Sequence, residues 1–325
     1  MQRNQSIDLV KVLSMYLVLA IHVNVCRISF SFTNIASAFT IVGIAIPMFF
    51  MVSGFLMSHK FIGNDISYSY SLKKIYGILK FCFIICVFFD VLKYVSTKVV
   101  DFSFPFCLIK LGSFSVFWYF GAMILIYILL PLLIKIINCS KNKFNLVLVL
   151  LLFVCFTIFI LNYQYDFEKN ISNTFRLVNW ISYFMLGAYI QRNSSIIHYV
   201  KWYYPVVGCI LFTLTVLYGK QTNYELHFSS PFCIFYACST FICCLKTNIH
   251  DSRILRVLSN IFLPFYAIHM TVIWHLLGLP IFKDIESSMS SPFSFILEWL
   301  FCASICTLIS IMIMKIPLVK TIFKI

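Results

Sequence analysis

Ile7-Asp8-Leu9-Val10-Lys11-Val12-Leu13-Ser14-Met15-Tyr16-Leu17-Val18-Leu19-Ala20-Ile21-His22-Val23-Asn24-Val25-Cys26 is an apolar run carrying two charges and one imidazole. Roughly 20 apolar residues is the length that crosses a hydrocarbon core as a helix. Lys11 and His22 are eleven residues apart, nearly a whole number of turns, which puts them within about 20° on one helix face. Asp8 lies one turn before Lys11 on the same side. A titratable stripe is costly against lipid, so this face should turn to a protein interior or a wet cavity and marks a functional site. A plainer reading is that Asp8 and Lys11 mark the cytoplasmic end of the helix, with Lys11 snorkelling. The run has no small-x-small cleavage site, and its lysine and histidine do not suit a signal-peptide core. It is expected to stay as a first membrane helix.

The rest of the chain continues the pattern. Of its 325 residues, 61% are hydrophobic and 11% charged, with a mean hydropathy of +0.94. A soluble domain carries about a quarter charged residues, so too little polar surface exists here to wrap a water-soluble core. Further apolar stretches run over Ile35 to Met57, Ile75 to Val95, Val116 to Ile137, Phe144 to Leu161, Leu177 to Ile190, Trp202 to Tyr218, Ser229 to Leu245, Leu258 to Leu279 and Pro292 to Ile316. The expected fold is all-α: one polytopic membrane helix bundle over residues 1–325, with about ten transmembrane helices. The stretch from Leu177 is short and needs Thr174 to Arg192 to cross. Phe102 to Gly112 is too short to span and suits a re-entrant or interfacial segment.

The net charge of +14 does not point to nucleic acid, because the basic residues punctuate apolar runs and form no patch or tail. They follow the positive-inside rule. With the N-terminus inside, the cytoplasmic segments hold 15 Lys and Arg and the opposite side holds 8. Both termini are then cytoplasmic. Most of the thirteen cysteines lie in apolar runs, no Cys-x-x-Cys occurs, and no Cys/His cluster has zinc-ligand spacing. The i,i+4 pairs Cys82/Cys86 and Cys302/Cys306 read as small packing residues, and neither metal nor redox use of the cysteines is expected.

A second constellation is Ile46-Pro47-Met48-Phe49-Phe50-Met51-Val52-Ser53-Gly54-Phe55-Leu56-Met57. Its proline frees a backbone carbonyl, its glycine permits close helix approach, and Ser53 can bond its own helix or a substrate. By itself it reads as a kinked, tightly packed helix.

Taken in order, these pieces resemble the acyltransferase type 3 family of bacterial integral membrane acyltransferases, in the form without an extracytoplasmic esterase-like domain. The opening Ile7-Asp8-Leu9-Val10-Lys11 with His22 is similar to the family's Ile-Asp-x-x-Arg start and its histidine eleven residues beyond the arginine. Pro47 to Leu56 resembles its proline–aromatic–Ser-Gly-Phe motif. Trp118-Tyr119 with Tyr127 and Pro131, then Phe184-Met185-Leu186-Gly187, then Tyr266-Ala267-Ile268-His269, resemble its later spans. Two departures stand out. Lys11 replaces the arginine, which loses the planar forked contact to a carboxylate or phosphate. Gly77 in Lys73-Lys74-Ile75-Tyr76-Gly77 stands where a second arginine of the cytoplasmic loop would fall.

The resemblance implies a cytoplasmic acyl-CoA donor, most often acetyl-CoA, and a sugar hydroxyl on a lipid-linked or polymeric glycan as acceptor. It implies a catalytic role for His22, with Asp8 and Lys11 at the donor end. It also implies binding roles for Ser53, Lys73, Lys74, Trp118, Tyr266 and His269, while Lys73 and Lys74 read equally as ordinary positive-inside lysines. A neutral imidazole can take the hydroxyl proton as a base or carry the acyl group as a nucleophile. Glu298, inside the last span and nearer its outer side, can pair with a cation, contact a sugar hydroxyl or simply reach the interface. Lys80 and Asp90 are expected to snorkel, and His59 and His275 to be structural. The competing class is a saccharide exporter or flippase using His22, His269 and Glu298 as a proton path. The expected location is the bacterial inner membrane, with membrane lipid as a partner and no nucleic acid.

Overall fold

The structure, a computed structural model, describes residues 3–29, 40–100, 102–111, 114–218, 224–247, 249 and 251–323. Residues 35–39 of the second apolar stretch, and Gly112 and Lys324, lie outside the described residues. Among those described, there are helices and connecting loops and no strand. The helices are α1 (Gln5–Ser29), α2 (Ala45–Phe61), α3 (Tyr68–Thr97), α4 (Trp118–Asn138), α5 (Lys141–Tyr165), α6 (Leu177–Arg192), α7 (Ile196–Tyr199), α8 (Tyr204–Tyr218), α9 (Pro231–Lys246), α10 (Arg253–Asn260), α11 (Phe262–Leu277), α12 (Pro280–Ser288), α13 (Ser291–Lys315) and α14 (Pro317–Lys320). Helix is the open-chain form that satisfies its own backbone polar groups in hydrocarbon, and the apolar composition selects it.

Six helices among the described residues are long and apolar enough to cross a membrane, or seven if one bent pair counts as a single span. The protein is a multi-pass membrane protein. The stretches from Leu177, Trp202 and Ser229 become α6, α8 and α9, of 16, 15 and 16 residues. At 1.5 Å per residue each is about 24 Å long, short of a hydrocarbon core of about 30 Å. The ninth stretch is not one straight helix: α10 and α11 meet at Ile261 with a bend of 64°. Pro264 supplies the reason, since its ring has no N–H to give the carbonyl of Asn260 and crowds it. Local signals set other ends. Ser230 caps α9 by accepting from the Phe232 N–H, with Pro231 opening the helix, and Ser252 caps α10 through the Leu255 N–H.

The chain forms two compact units, and α2 contributes to both. The first comprises Met1–Val52 and Ser194–Pro317. In it α1 packs against α9, α10, α11 and α13, so the helix that carries the titratable stripe has protein on several sides. Tyr16 stacks edge-on against Phe265 at 5.6 Å, and Phe49 meets Phe262 at 4.8 Å.

The second unit comprises Ser53–Asn193 and Leu318–Ile325. Here α4 packs against α3, α5 and α6. Gly54 lies against α6 so closely that a Cβ would sit 1.8 Å from the Phe184 carbonyl oxygen. The glycine of the second constellation therefore does permit the close helix approach expected of it. Phe102 to Leu111 folds back along α3: Asp90 accepts from the Ser103 backbone N–H at 3.0 Å and from its hydroxyl at 2.6 Å. Asp90 thus anchors this segment, where the sequence suggested a snorkelling carboxylate.

Candidate active site along the first helix

Three groups of polar side chains are spaced along α1. At its start, Asp8 is buried and pairs with Arg3, and it accepts from the Ser259 hydroxyl at 2.6 Å. Arg3 also donates to the Arg256 carbonyl at 3.3 Å, and Gln5 donates to Asp251 at 3.0 Å. Asp251 pairs in turn with Arg256, whose guanidinium holds the carboxyl below the usual carboxylate range. Lys11, one turn on, feels the Asp8 charge. These groups tie the start of α1 to α10. Beside them opens a cleft of about 610 Å³ lined by residues that include Arg3, Gln5, Asp251 and Arg256.

About two thirds of the way along α1, the His22 ring lies 5.0 Å from the ring of His269, centroid to centroid. His269 comes from α11 and is buried, with Tyr266 packed 5.2 Å from it. Its Nδ1 is 2.7 Å from the Tyr266 carbonyl oxygen. A carbonyl only accepts, so Nδ1 carries the proton and the neutral ring keeps its lone pair on Nε2. That Nε2 is buried and has no hydrogen-bond partner among the described residues. The helix phase that sets His22 on the Lys11 face thus delivers it to a second imidazole whose basic nitrogen is unused.

At the far end of α1, Arg27 is fully buried. It donates to Glu298 of α13 at 2.6 Å, to Glu286 of α12, and to the Ser294 hydroxyl at 3.2 Å. In sequence Arg27 counted as one more cation on the outer side, whereas the fold encloses it. The signal available was weak: one arginine at the end of an apolar run, with its partners more than 250 residues away. Glu298 does pair with a cation, one of its three sequence readings, and is buried, so it does not reach the interface. Its second carboxylate oxygen, Oε1, is buried without a partner among the described residues. The indole of Trp299 donates to the Tyr16 carbonyl at 3.0 Å, and the Tyr16 and Thr307 hydroxyls meet at 2.9 Å, which seats α13 on α1.

Of the residues singled out from sequence, the first unit therefore brings together His22, Tyr266 and His269. It does not bring Asp8 or Lys11 to the imidazoles. At 1.5 Å per residue they stand about 21 and 16 Å from His22 along the helix axis. Glu298 belongs to the Arg27 group. The others lie in the second unit. Ser53 hydrogen-bonds the Tyr119 hydroxyl. Trp118 packs on Trp180 at 5.3 Å, and the Trp180 indole donates to the Asn173 carbonyl at 2.6 Å. Lys73 is exposed near the start of α3, and Lys74 stands 5.9 Å from the Tyr70 ring, which also carries Lys60 at 4.2 Å. Sequence reading passed over Tyr70, which belongs to no recognisable spacing, and counted Lys60 only as a cytoplasmic cation. Among the described residues, no group of three His, Cys, Asp or Glu is placed to hold a metal.

These features define a multi-pass helical membrane protein with a pair of imidazoles set among its helices, His269 buried and His22 half-buried. A family model described as an acyltransferase domain matches residues 4–315, nearly the whole chain, and the protein belongs to this acyltransferase type 3 family. No curated protein and no solved structure matches the chain. Membership makes the protein a membrane acyltransferase in its general class.

Proposed function

We propose that this protein is an O-acetyltransferase of the bacterial inner membrane that moves an acetyl group from cytoplasmic acetyl-CoA to a sugar hydroxyl of a surface glycan or its lipid-linked precursor. In this reading the chain makes about ten crossings, the short helices α6, α8 and α9 among them, and both termini face the cytoplasm.

The observation that carries the reading is the His22–His269 pair, 5.0 Å apart and contributed by helices from opposite ends of the chain. Hydroxyl acylation needs a group that takes the hydroxyl proton, or one that carries the acyl group first, and a neutral imidazole serves as either. As a base, His22 removes the proton, the sugar oxygen bonds to the thioester carbon, the carbon–sulfur bond breaks, and the departing thiolate takes the proton back. His269 stands beside it with Nε2 unprotonated, in position to orient the ring or share its proton. The cleft at the start of α1 suits the distant, phosphorylated end of the donor. Arg3 and Arg256 line it, and Lys11 sits a turn deeper on the face that leads to His22. Asp8 holds that end of the helix in place. Ser53, Lys73, Lys74, Trp118 and Tyr266 are assigned to substrate binding, and the Arg27–Glu298 group to the acceptor side.

The test is transfer of labelled acetyl from acetyl-CoA to membrane glycan, with wild type and H22A compared at equal protein level. Loss of transfer in H22A supports the assignment, and full transfer removes it. A saccharide exporter would instead move its substrate unmodified, so unlabelled glycan with saccharide movement intact would favour that class.

A further inference from the structure

The segment that folds back along α3 brings two thiols together. Asp90 fixes Ser103 at one point of the contact. One turn earlier on α3 stands Cys86, and four residues after Ser103 stands Cys107, in a 3-10 turn over Phe106–Ile109. The two strands of contact run antiparallel, so the second pair meets as the first does. Sγ of Cys86 and Sγ of Cys107 are 3.5 Å apart, and both residues are fully buried. The turn that carries Cys107 is held from its other side as well. Thr174 donates to the Leu108 carbonyl at 2.7 Å, Ser172 donates to the Ile109 carbonyl at 2.8 Å, and a Cβ at Gly121 would stand 2.0 Å from the Leu108 oxygen. Cys82, one turn before Cys86, interacts with Cys107 only at longer range.

We propose that Cys86 and Cys107 are a disulfide site that locks this segment onto α3. The sulfurs need to close by about 1.5 Å to reach bonding distance. Two S–H bonds break and one S–S bond forms. Two protons leave to water, and two electrons pass to a protein disulfide of an extracytoplasmic thiol oxidase. Disulfides persist in such a compartment and not in the cytoplasm. The proposal rests on the orientation given above, which sets the connection between α3 and α4 on the outer side. Cys86 reads from sequence alone as a packing residue and no redox use is expected of the cysteines; the fold instead sets it against Cys107 as a redox couple.

Membranes denatured with iodoacetamide and no reductant, then digested, give the direct test. The expected product is one cross-linked peptide pair joining Cys86 to Cys107, about 2 Da lighter than the two thiol peptides because two hydrogens are lost. It should vanish in C86S and in C107S and persist in C82S. Recovery of both cysteines as alkylated thiols in the wild type overturns the proposal. Val100, in the same connection and 72% exposed, separates the two ways of failing. If V100C reacts with a membrane-impermeant maleimide on intact cells while Cys86 and Cys107 are alkylated, the disulfide fails and the orientation stands. If V100C does not react, the orientation fails and the oxidant is lost with it.

Discussion

Arg27 and Glu298 form an ion pair of 2.6 Å in which neither side chain is exposed, although 271 residues separate them in the chain. A charge so enclosed is tolerated only while its partner is present, because low-dielectric surroundings charge the full desolvation cost to a survivor. Glu286 reaches the same guanidinium, so Arg27 bridges two carboxylates. R27M is expected to lower stability by about 3–5 kcal/mol. R27M/E298L should recover part of the loss. Thermal unfolding in detergent, or protein level in membranes, reads this directly; single and double variants that melt with the wild type would contradict it.

The imidazole pair predicts an unequal pattern. H22A should abolish acetyl transfer at normal protein level. H269A should reduce it by about 10²–10⁴-fold, the range for a positioned acid–base group. The pH profile of the residual H269A rate should differ from that of the wild type, which a merely structural role would not produce. An unchanged profile with an unchanged rate would remove His269 from the chemistry.

Gly54 predicts a packing failure of a different kind. A Cβ there would overlap the Phe184 carbonyl oxygen at 1.8 Å, and a backbone atom has little freedom to yield. G54A should therefore destabilise by about 1–3 kcal/mol or more, as overpacking does. The loss should show in the unfolding midpoint, and a midpoint equal to that of the wild type would refute the contact.

The cleft at the start of α1 predicts donor binding by its cations. R256A and R3A should raise the KM for acetyl-CoA several-fold, with a smaller effect on kcat, since these residues stand about 20 Å or more from His22 along the helix axis. A kcat loss with unchanged KM would place them elsewhere in the cycle.

The same cleft carries a pH expectation. Arg256 depresses the Asp251 carboxyl, so the stabilisation from this pair is present above the ordinary carboxylate pKa of about 4. It is lost only as pH falls through the lowered folded-state value. Between pH 5 and 8 the pair should not contribute to the pH dependence of donor KM. A D251N variant whose donor KM profile differs in shape from the wild type in that window would count against this. Because the pair is exposed, its effect on overall stability should be small.

Much of the architecture was legible in the chain. The bounds of α1, α4, α5 and α13 follow closely from uninterrupted apolar runs, because hydrocarbon length and helical hydrogen bonding leave few alternatives, whereas α3 starts at Tyr68, seven residues before the run at Ile75. The bend at Ile261 was less legible: Pro264 is visible in the sequence, but whether a proline kinks a helix or starts a new one depends on what packs around the freed carbonyl. The site divides in the same way. The shared face of Lys11 and His22 follows from helical phase, and the Tyr266–His269 spacing from resemblance to the family. Arg27 was misjudged because hydropathy places a residue along a span but does not say whether it faces a loop or a partner. Asp90 was misjudged for the same reason.

Composition and periodicity are local properties, and they were enough to establish a helical membrane protein with a titratable stripe on its first helix. The pairing of His22 with His269, of Arg27 with Glu298 and of Cys86 with Cys107 came from the packing of helices against distant segments. No local periodicity encodes such contacts, because each depends on which faces remain buried once every helix has found its neighbours.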